Sequence, residues 1–319
     1  IKIGDSYGGD LIGRKDKKKE LKASEIRSSV YRLNKRSSNK KIRINNSPNT
    51  IYALPESRKR LKKELLESQK LGQTRDGKLI YLYEYFENSA VMREIGRLRE
   101  VTFRAVGEGS GRCRDLDIYD RYYRHIVLWD DNDLEIVGSY RIGECKAMVT
   151  KDGLESLYVD SLFELNDSFL PYIEQGIELG LSFVQPQYWG KRSLDYLWHG
   201  IGAYLRQYPE VKYMFGPVSI SNDYSEEAKQ KLVRFYAGYF EDQDGLAMAR
   251  NPYTIAEKMI PGNDFREDFV ALKSSLKQLG YSVPTLYKQY TEVCEHEGVR
   301  FIDFNVDAEY TDIPKILRG

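Results

Sequence analysis

Three groups of residues combine types and spacings that chemistry can use. Glu178 lies in an otherwise apolar run, Gly176–Val184, where Ile177, Leu179, Leu181 and Phe183 alternate with Glu178, Gly180, Ser182 and Val184. A period of two marks a strand with two faces, so Glu178 points away from the core set. A desolvated carboxylate there has a raised pKa and can take a proton near neutrality, as a general base must. Asp117 and Asp120 stand three apart in a polar, Gly-rich stretch, with Arg104, Arg112 and Arg114 around them. Carboxylates hold an ammonium group and arginine holds a carboxylate, and those are the two ends of a free amino acid. The third group is Gly190-Lys191-Arg192, where a loop from Val184 feeds a helix. A helix start offers unpaired N–H groups and the positive end of a dipole, which suits a phosphate.

Each group also has a plainer reading. Glu178 can be a charge at a sheet margin paired with Arg141, the Asp/Arg loop can solvate itself, and a strand, turn and helix with one glycine is common in α/β proteins. His125-Ile-Val-Leu-Trp-Asp130 has the His-x4-Asp spacing of glycerolipid O-acyltransferases, but no Glu-Gly-Thr block accompanies it, and it reads as coincidence. Gly107-Glu-Gly-Ser-Gly111 and Tyr140-Arg-Ile-Gly143 make no dinucleotide fingerprint, and no GxxxxGK[ST] occurs, so nucleotide hydrolysis is unsupported.

The elements that must position these groups follow from periodicity and turn chemistry. Pro186 and Gly190 end the Glu178 strand. From Lys191 or Arg192 onward, Leu194, Leu197, Trp198, Ile201, Tyr204 and Leu205 form one helical face. Upstream, the pattern predicts a helix over 57–72, a strand over 78–86, a helix over 89–103, and two strands, 125–129 and 134–141, joined by Asp130-Asp-Asn-Asp133. Residues 142–175 read as an irregular connection. Downstream come a strand over 211–220, a helix over 225–240 opened by Ser221, Asn222 and Ser225, a loop over 241–264, a helix over 266–279, and strands over 285–293 and 299–306. The sum is an α/β fold: a mixed, mostly antiparallel sheet with one crossover helix after the Glu178 strand.

Composition sets outer bounds. No apolar run reaches the roughly 18 residues of a membrane span, and no signal peptide is visible. Cys113, Cys145 and Cys294 lack CxxC pairing, so neither a disulfide framework nor a zinc site is indicated, and a reducing cytoplasm fits. The net charge of +1 is unevenly spread, since residues 1–50 hold 14 Lys and Arg against 5 Asp and Glu. Such a block suits a solvated linker or an anionic membrane surface. It lacks the interleaved aromatics of a nucleic-acid site. Residues 1–55 are therefore a basic linker or remnant of something upstream, and the folded domain spans 75–310.

Taken in order, Arg104, Asp117-Ile-Tyr-Asp120, His125, Gly138-Ser-Tyr-Arg141, Ser161-Leu-Phe163, Glu178-Leu-Gly180, Val184-x-Pro-x-Tyr188 and Leu197-Trp198 resemble the acyl-carrier-protein-dependent amino-acid N-acyltransferases. These are the first-step enzymes of ornithine-lipid and glycine-lipid synthesis, sometimes labelled hemolysin-like, within the GNAT superfamily. The resemblance covers roughly residues 78–306. Two positions depart from the family pattern, Leu181 for an arginine and Phe183 for a cysteine. That puts in doubt any anchoring role of the arginine, which can pass to Lys191 or Arg192.

The resemblance implies a splayed central strand, along which a pantetheine arm lies, and a phosphate-binding loop leading into a helix. Val184, Gln185, Tyr188, Gly190, Lys191, Arg192 and Ser193 would hold the acyl donor. Arg104, Asp117, Asp120 and Arg141 would hold the amino acid, and Glu178 would be the base. It implies no tightly bound cofactor, acyl-carrier protein or acyl-CoA as co-substrate, and peripheral contact with the inner face of a membrane. In some relatives the module follows a lysophospholipid O-acyltransferase domain, and Ile1–Gly4 is similar to the tail of such a domain. The competing functions are an acyl-homoserine-lactone synthase and a non-catalytic module that docks a carrier or a membrane.

Overall fold

The computed structural model describes residues 51–262, 264–293, 298–307 and 313–318. The basic segment 1–50 and the expectations placed on it lie outside the described residues. The elements in chain order are α1 (Arg58–Leu66), β1 (Gln69–Gln73), β2 (Leu79–Glu84), α2 (Ala90–Arg104), β3 (Arg124–Asp130), β4 (Glu135–Glu144), α3 (Cys145–Asp152), β5 (Phe163–Leu165), α4 (Leu170–Glu174), β6 (Gly176–Val184), α5 (Ser193–Gln207), β7 (Tyr213–Ser219), α6 (Glu226–Tyr239), β8 (Ala247–Ala249), α7 (Phe265–Gln278), α8 (Thr285–Val293), β9 (Phe301–Asp307) and β10 (Ile313–Arg318). They form two compact units, and the chain passes from one to the other within β4, after Arg141, and back within β6, after Gly180.

The unit holding residues 51–141 and Leu181–Tyr208 has strand order β1-β2-β3-β4. β1 and β3 both run antiparallel to β2, with Leu79 opposite Trp129 and Tyr83 opposite His125. The helix α5 lies on β1, β2 and β3. On the core side, Val91, Ile95 and Leu98 of α2 pack with Leu61, Leu65, Tyr81, Tyr83, Val127, Trp129, Ile136 and Phe183. Because Leu61 and Leu65 of α1 belong to this core, folding begins well before residue 75. The start of α2 is fixed twice over: the Ser89 hydroxyl accepts from Met92 N at 2.9 Å, and the buried Glu64 carboxylate accepts from Ala90 N and Val91 N at 3.0 Å each. The β3–β4 turn is made by Asp130, whose Oδ1 accepts from Asn132 N at 3.0 Å, and by Leu134 in a left-handed conformation, φ 51°.

The second unit, Ile142–Gly180 with the described residues from Pro209 onward, has strand order β6-β7-β10-β9 and a separate β5–β8 pair. β6 and β7 are parallel, with Gly176 opposite Tyr213 and Glu178 opposite Phe215, as the crossover through α5 requires. The β7–β10, β10–β9 and β5–β8 pairs are antiparallel. Gly216 is obligatory, because a Cβ there would lie 1.9 Å from the Leu179 carbonyl oxygen. An aromatic cluster fills the core: Tyr236 and Phe240 of α6 meet Phe265, Tyr287 and Phe301.

Several expectations are corrected here. The 57–72 helix stops at Leu66, and β1 follows. Residues 142–175 carry α3, β5 and α4, and the 241–264 loop carries β8. The segment 285–293 is a helix, with Tyr287 and Tyr290 buried on one side. β10 follows the strand expected over 299–306.

Candidate active site

Asp117 and Asp120 sit at the ends of one turn. Asp120 N donates to Asp117 Oδ1 at 3.0 Å, and Asp117 N donates to Asp120 Oδ2 at 3.1 Å, a reciprocal cap on the short helix Ile118–Arg121. Buried Arg99 of α2 donates to both Asp120 oxygens through Nη1, at 2.9 and 3.1 Å. His125 Nε2 lies 3.2 Å from Asp120 Oδ1. Arg141, on β4, donates through Nη1 to both oxygens of Asp117 at 2.9 and 2.8 Å and lies 3.6 Å from Asp120. Its guanidinium also covers the Tyr123 ring at 4.6 Å. Burial pushes the Asp120 carboxyl up, but Arg99, the His125 hydrogen bond and Arg141 outweigh it and hold it well below the usual range. Burial holds the His125 imidazole down to about 4, against the bond to Asp120.

The structure thus joins Asp117, Asp120 and Arg141 in one network, and they hold each other. Asp120, 2% exposed, has its oxygens committed to Arg99, His125 and the Asp117 backbone, which corrects the expectation that it waits for an ammonium group. Asp117 is the partly open member, with its side chain 23% exposed. Arg104 belongs elsewhere. Its Nε donates to Glu100, a buried carboxylate that also accepts from Ser110 N, the Ser110 hydroxyl and Gly111 N, so Glu100 and Arg104 fix the Gly-rich loop. The Arg104 guanidinium stacks on Tyr52 at 4.5 Å.

Arg99, His125 and Glu100 were missed as parts of these networks. Arg99 and Glu100 sit on the helix expected over 89–103, and both are fully buried. His125 carried a signal, its place on a strand five residues after Asp120, but a strand histidine is more often plain core.

Glu178 is 1% exposed. One oxygen accepts from Tyr158 N at 3.1 Å and the other from Val159 N at 3.0 Å, so the carboxylate anchors the turn Tyr158–Ser161. Sequence reasoning offered this carboxylate to a substrate; the fold commits both of its oxygens to backbone N–H groups. Cys145 lies beside it, and burial, then the charge of Glu178, push that thiol well above its ordinary pKa.

Farther along β6, Leu181 has φ 45°, which breaks the extended backbone where the family pattern has arginine, and Phe183 is core. Gln185 N donates to Val137 O at 2.9 Å, and the Gln185 amide donates to Ile136 O, so the loop starts tied to β4. It then spends N–H groups on itself: Tyr188 N on Gln185 O, Trp189 N on Pro186 O and Lys191 N on Tyr188 O. Trp189 Nε1 donates to Val184 O at 2.6 Å, and Tyr188 OH donates to Glu135 at 2.5 Å. Gly190 has a left-handed φ of 74°. No side chain caps α5, and Tyr196 N, bonded to Arg192 O, is its first internal donor, so the N–H groups of Ser193, Leu194 and Asp195 open the helix. Lys191 lies over the Tyr188 ring at 4.7 Å, and Arg192 is 3.7 Å from Asp195.

The family described as "Acetyltransferase (GNAT) domain" matches residues 98–199, the stretch from α2 to the start of α5. The chain is 31% identical over 278 residues to a glycine N(alpha)-acyltransferase of Bacteroides thetaiotaomicron, covering 81% of this chain and 82% of that one. It is 34% identical over 256 residues to a glycine N(alpha)-acyltransferase of Phocaeicola vulgatus, covering 74% and 78%. A shorter match, 30% over 113 residues, is to the L-ornithine N(alpha)-acyltransferase of Agrobacterium fabrum, covering 34% and 38%. No solved structure matches the chain. A mixed, mostly antiparallel sheet whose parallel crossover runs through a loop and helix at residues 185–207 defines a GNAT acyltransferase. The chain belongs to the amino-acid N-acyltransferases of that superfamily, and it is an enzyme. No helix among the described residues is long and apolar enough to cross a membrane.

Proposed function

We propose that the enzyme moves a fatty acyl group from the thioester of a carrier-bound phosphopantetheine to the amine of glycine, giving an N-acyl amino acid or lyso-aminolipid. The amine nitrogen attacks the thioester carbonyl, the C–N bond forms, the C–S bond breaks, and the departing thiolate takes up a proton. The observation that carries the choice of donor is the loop Gln185–Arg192. Its early N–H groups are spent internally and Pro186 has none. The start of α5, flanked by Lys191 and Arg192, has no side-chain cap. That suits the single phosphate of a carrier-bound arm better than the diphosphate of CoA. Glycine is favoured because the relatives that share most of their length with this chain are named for it.

In this reading Val184, Gln185, Tyr188, Gly190, Lys191, Arg192 and Ser193 bind the donor. Asp117, the partly open carboxylate of the network, meets the amine, with Asp120 and Arg141 holding it in place. Arg104 shapes the Gly-rich loop and does not touch substrate. Glu178 is the proton acceptor; each unit by which the amine's pKa exceeds the working pH costs about 1.36 kcal/mol, and a positioned base contributes roughly 10²- to 10⁴-fold. No cofactor is held between turnovers. Basic residues 1–50 draw the protein to anionic membrane, where the product partitions.

The test is to incubate the purified protein with acyl-carrier protein or acyl-CoA and each amino acid, and to identify products by mass spectrometry. N-acylglycine formed from the carrier-bound donor supports the reading. Turnover from acyl-CoA alone, or acylation of another amino acid in preference, refutes the corresponding part.

A further inference from the structure

The loop that takes the donor phosphate in the proposed reaction continues into a helix with an unusually bare positive face. Tyr196, Leu197, Gly200, Ile201, Ala203 and Tyr204 are the buried side of α5. Arg192, His199 and Arg206 are exposed and fall at i, i+7 and i+14, one stripe along the helix. The stripe is about 21 Å long at roughly 1.5 Å per residue. Arg75 belongs to it. It follows β1, which packs beside α5 through Gln69 Nε2 and Gln207 Oε1 at 2.6 Å. Partial burial lowers the His199 pKa, and the positive charges of Arg192, Arg75 and Arg206 lower it further against Asp195, so all three arginines lie within electrostatic reach of this imidazole.

Several other arginines of this unit are neutralised: Arg93 by Glu56, Arg97 by Glu94, Arg99 by Asp120, Arg104 by Glu100 and Arg141 by Asp117. Along the stripe only the loose Arg192–Asp195 contact, 3.7 Å and half exposed on both sides, offsets the charge. Among the described residues, Arg75, Lys191 and Arg206 form no ion pair within 4.0 Å.

We propose that the outward face of α5, with Arg75 beside it, is the docking surface for the acidic face of the carrier protein that delivers the acyl chain. The inference rests on the proposed donor and adds where the carrier binds. Continuity of the surface decides the occupant. The arm's phosphate is joined to the carrier itself, so the carrier must touch the enzyme next to the phosphate loop, and the stripe begins at Lys191 and Arg192. A carrier-free thioester has nothing to place along the next 21 Å. Arg75, Lys191 and Arg206, with the loosely paired Arg192, raise the encounter rate of an acidic partner, roughly 10- to 10³-fold at low salt, and the gain fades as salt screens it.

The test is the double charge reversal Arg75→Glu with Arg206→Glu, both outside the donor and amine machinery, assayed with acyl-carrier protein and with carrier-free acyl-phosphopantetheine. The expected result is a KM for the acyl carrier raised by about tenfold or more at low salt. The kcat and the KM for the carrier-free thioester stay unchanged, and the salt dependence seen in the parent protein largely disappears. A carrier KM equal to that of the parent overturns the proposal, as does an equal rise for both donors. Loss of binding to phosphatidylglycerol vesicles with a normal carrier KM would assign the stripe to a membrane instead. If the parent protein turns over acyl-CoA and ignores the acyl carrier, the donor reading itself has failed. If it uses the carrier and the variant is normal, only the docking surface has.

Discussion

Asp120→Asn tests whether the charged turn is built for its own stability or held open for substrate. The substitution keeps the shape of the side chain and removes the charge that balances Arg99 and Arg141. Asp120 receives two bonds from Arg99, one from the Asp117 backbone and one from His125, and all of these groups but Asp117 are essentially out of water. Removing one partner of a buried ion pair costs about 3–5 kcal/mol, because the other charge stays behind uncompensated. At roughly 2–4 °C per kcal/mol for a chain of this size, unfolding should move down by about 6–20 °C. Thermal melts followed by circular dichroism measure this, with Asp117→Asn as the control; its partly open side chain predicts a smaller loss. Replacing the pair together, Arg99→Met with Asp120→Leu, should recover much of the stability, since a buried pair exchanged for apolar groups is often neutral. A melting point within about 2 °C of the parent, with a raised KM for the amine alone, would refute this reasoning and return Asp120 to the substrate pocket.

Glu178→Gln turns one acceptor into an amide that faces a backbone N–H, so it should cost about 1–3 kcal/mol of stability and slow turnover by about 10²-fold at neutral pH; a destabilised variant with normal kcat would leave Glu178 as the anchor of the Tyr158 turn only. Gly190→Val forces a branched side chain into a left-handed backbone, a strain of roughly 1–2 kcal/mol, and should raise the donor KM well above any change for the amine; equal changes in both would point to general unfolding. His125 is held at about 4. Between its ordinary pKa and that value the unfolded chain binds a proton that the folded protein refuses, so stability is full above pH about 6.5 and falls by about 3 kcal/mol as pH drops toward 4. Urea midpoints against pH should show this slope in the parent and lose it in His125→Gln, and a slope unchanged by the substitution would place its source elsewhere.

What the sequence determined by itself is what local chemistry controls. The alternation over Gly176–Val184, the breakers Pro186 and Gly190 and the apolar face after Arg192 define β6, its loop and α5, and Gly190 takes the positive φ its position demands. Ser89 and Ser225 cap the helices they precede. Tertiary structure decided the rest. β1, Gln-Lys-Leu-Gly-Gln, has almost no apolar signal of its own and is a strand because the edge of β2 offers it partners. Residues 285–293 read as a strand, and it is the packing of Tyr287 against Tyr236 and Phe301 that makes them a helix. In the candidate site the sequence supplied Asp117, Asp120, Arg141 and Glu178 but not their bonds. A carboxylate costs little in water and several kcal/mol when buried unpaired. Whether each one waits for a substrate or serves the fold therefore depends on what folding brings against it: Arg99 and His125 for Asp120, Arg141 for Asp117, and the Tyr158 turn for Glu178.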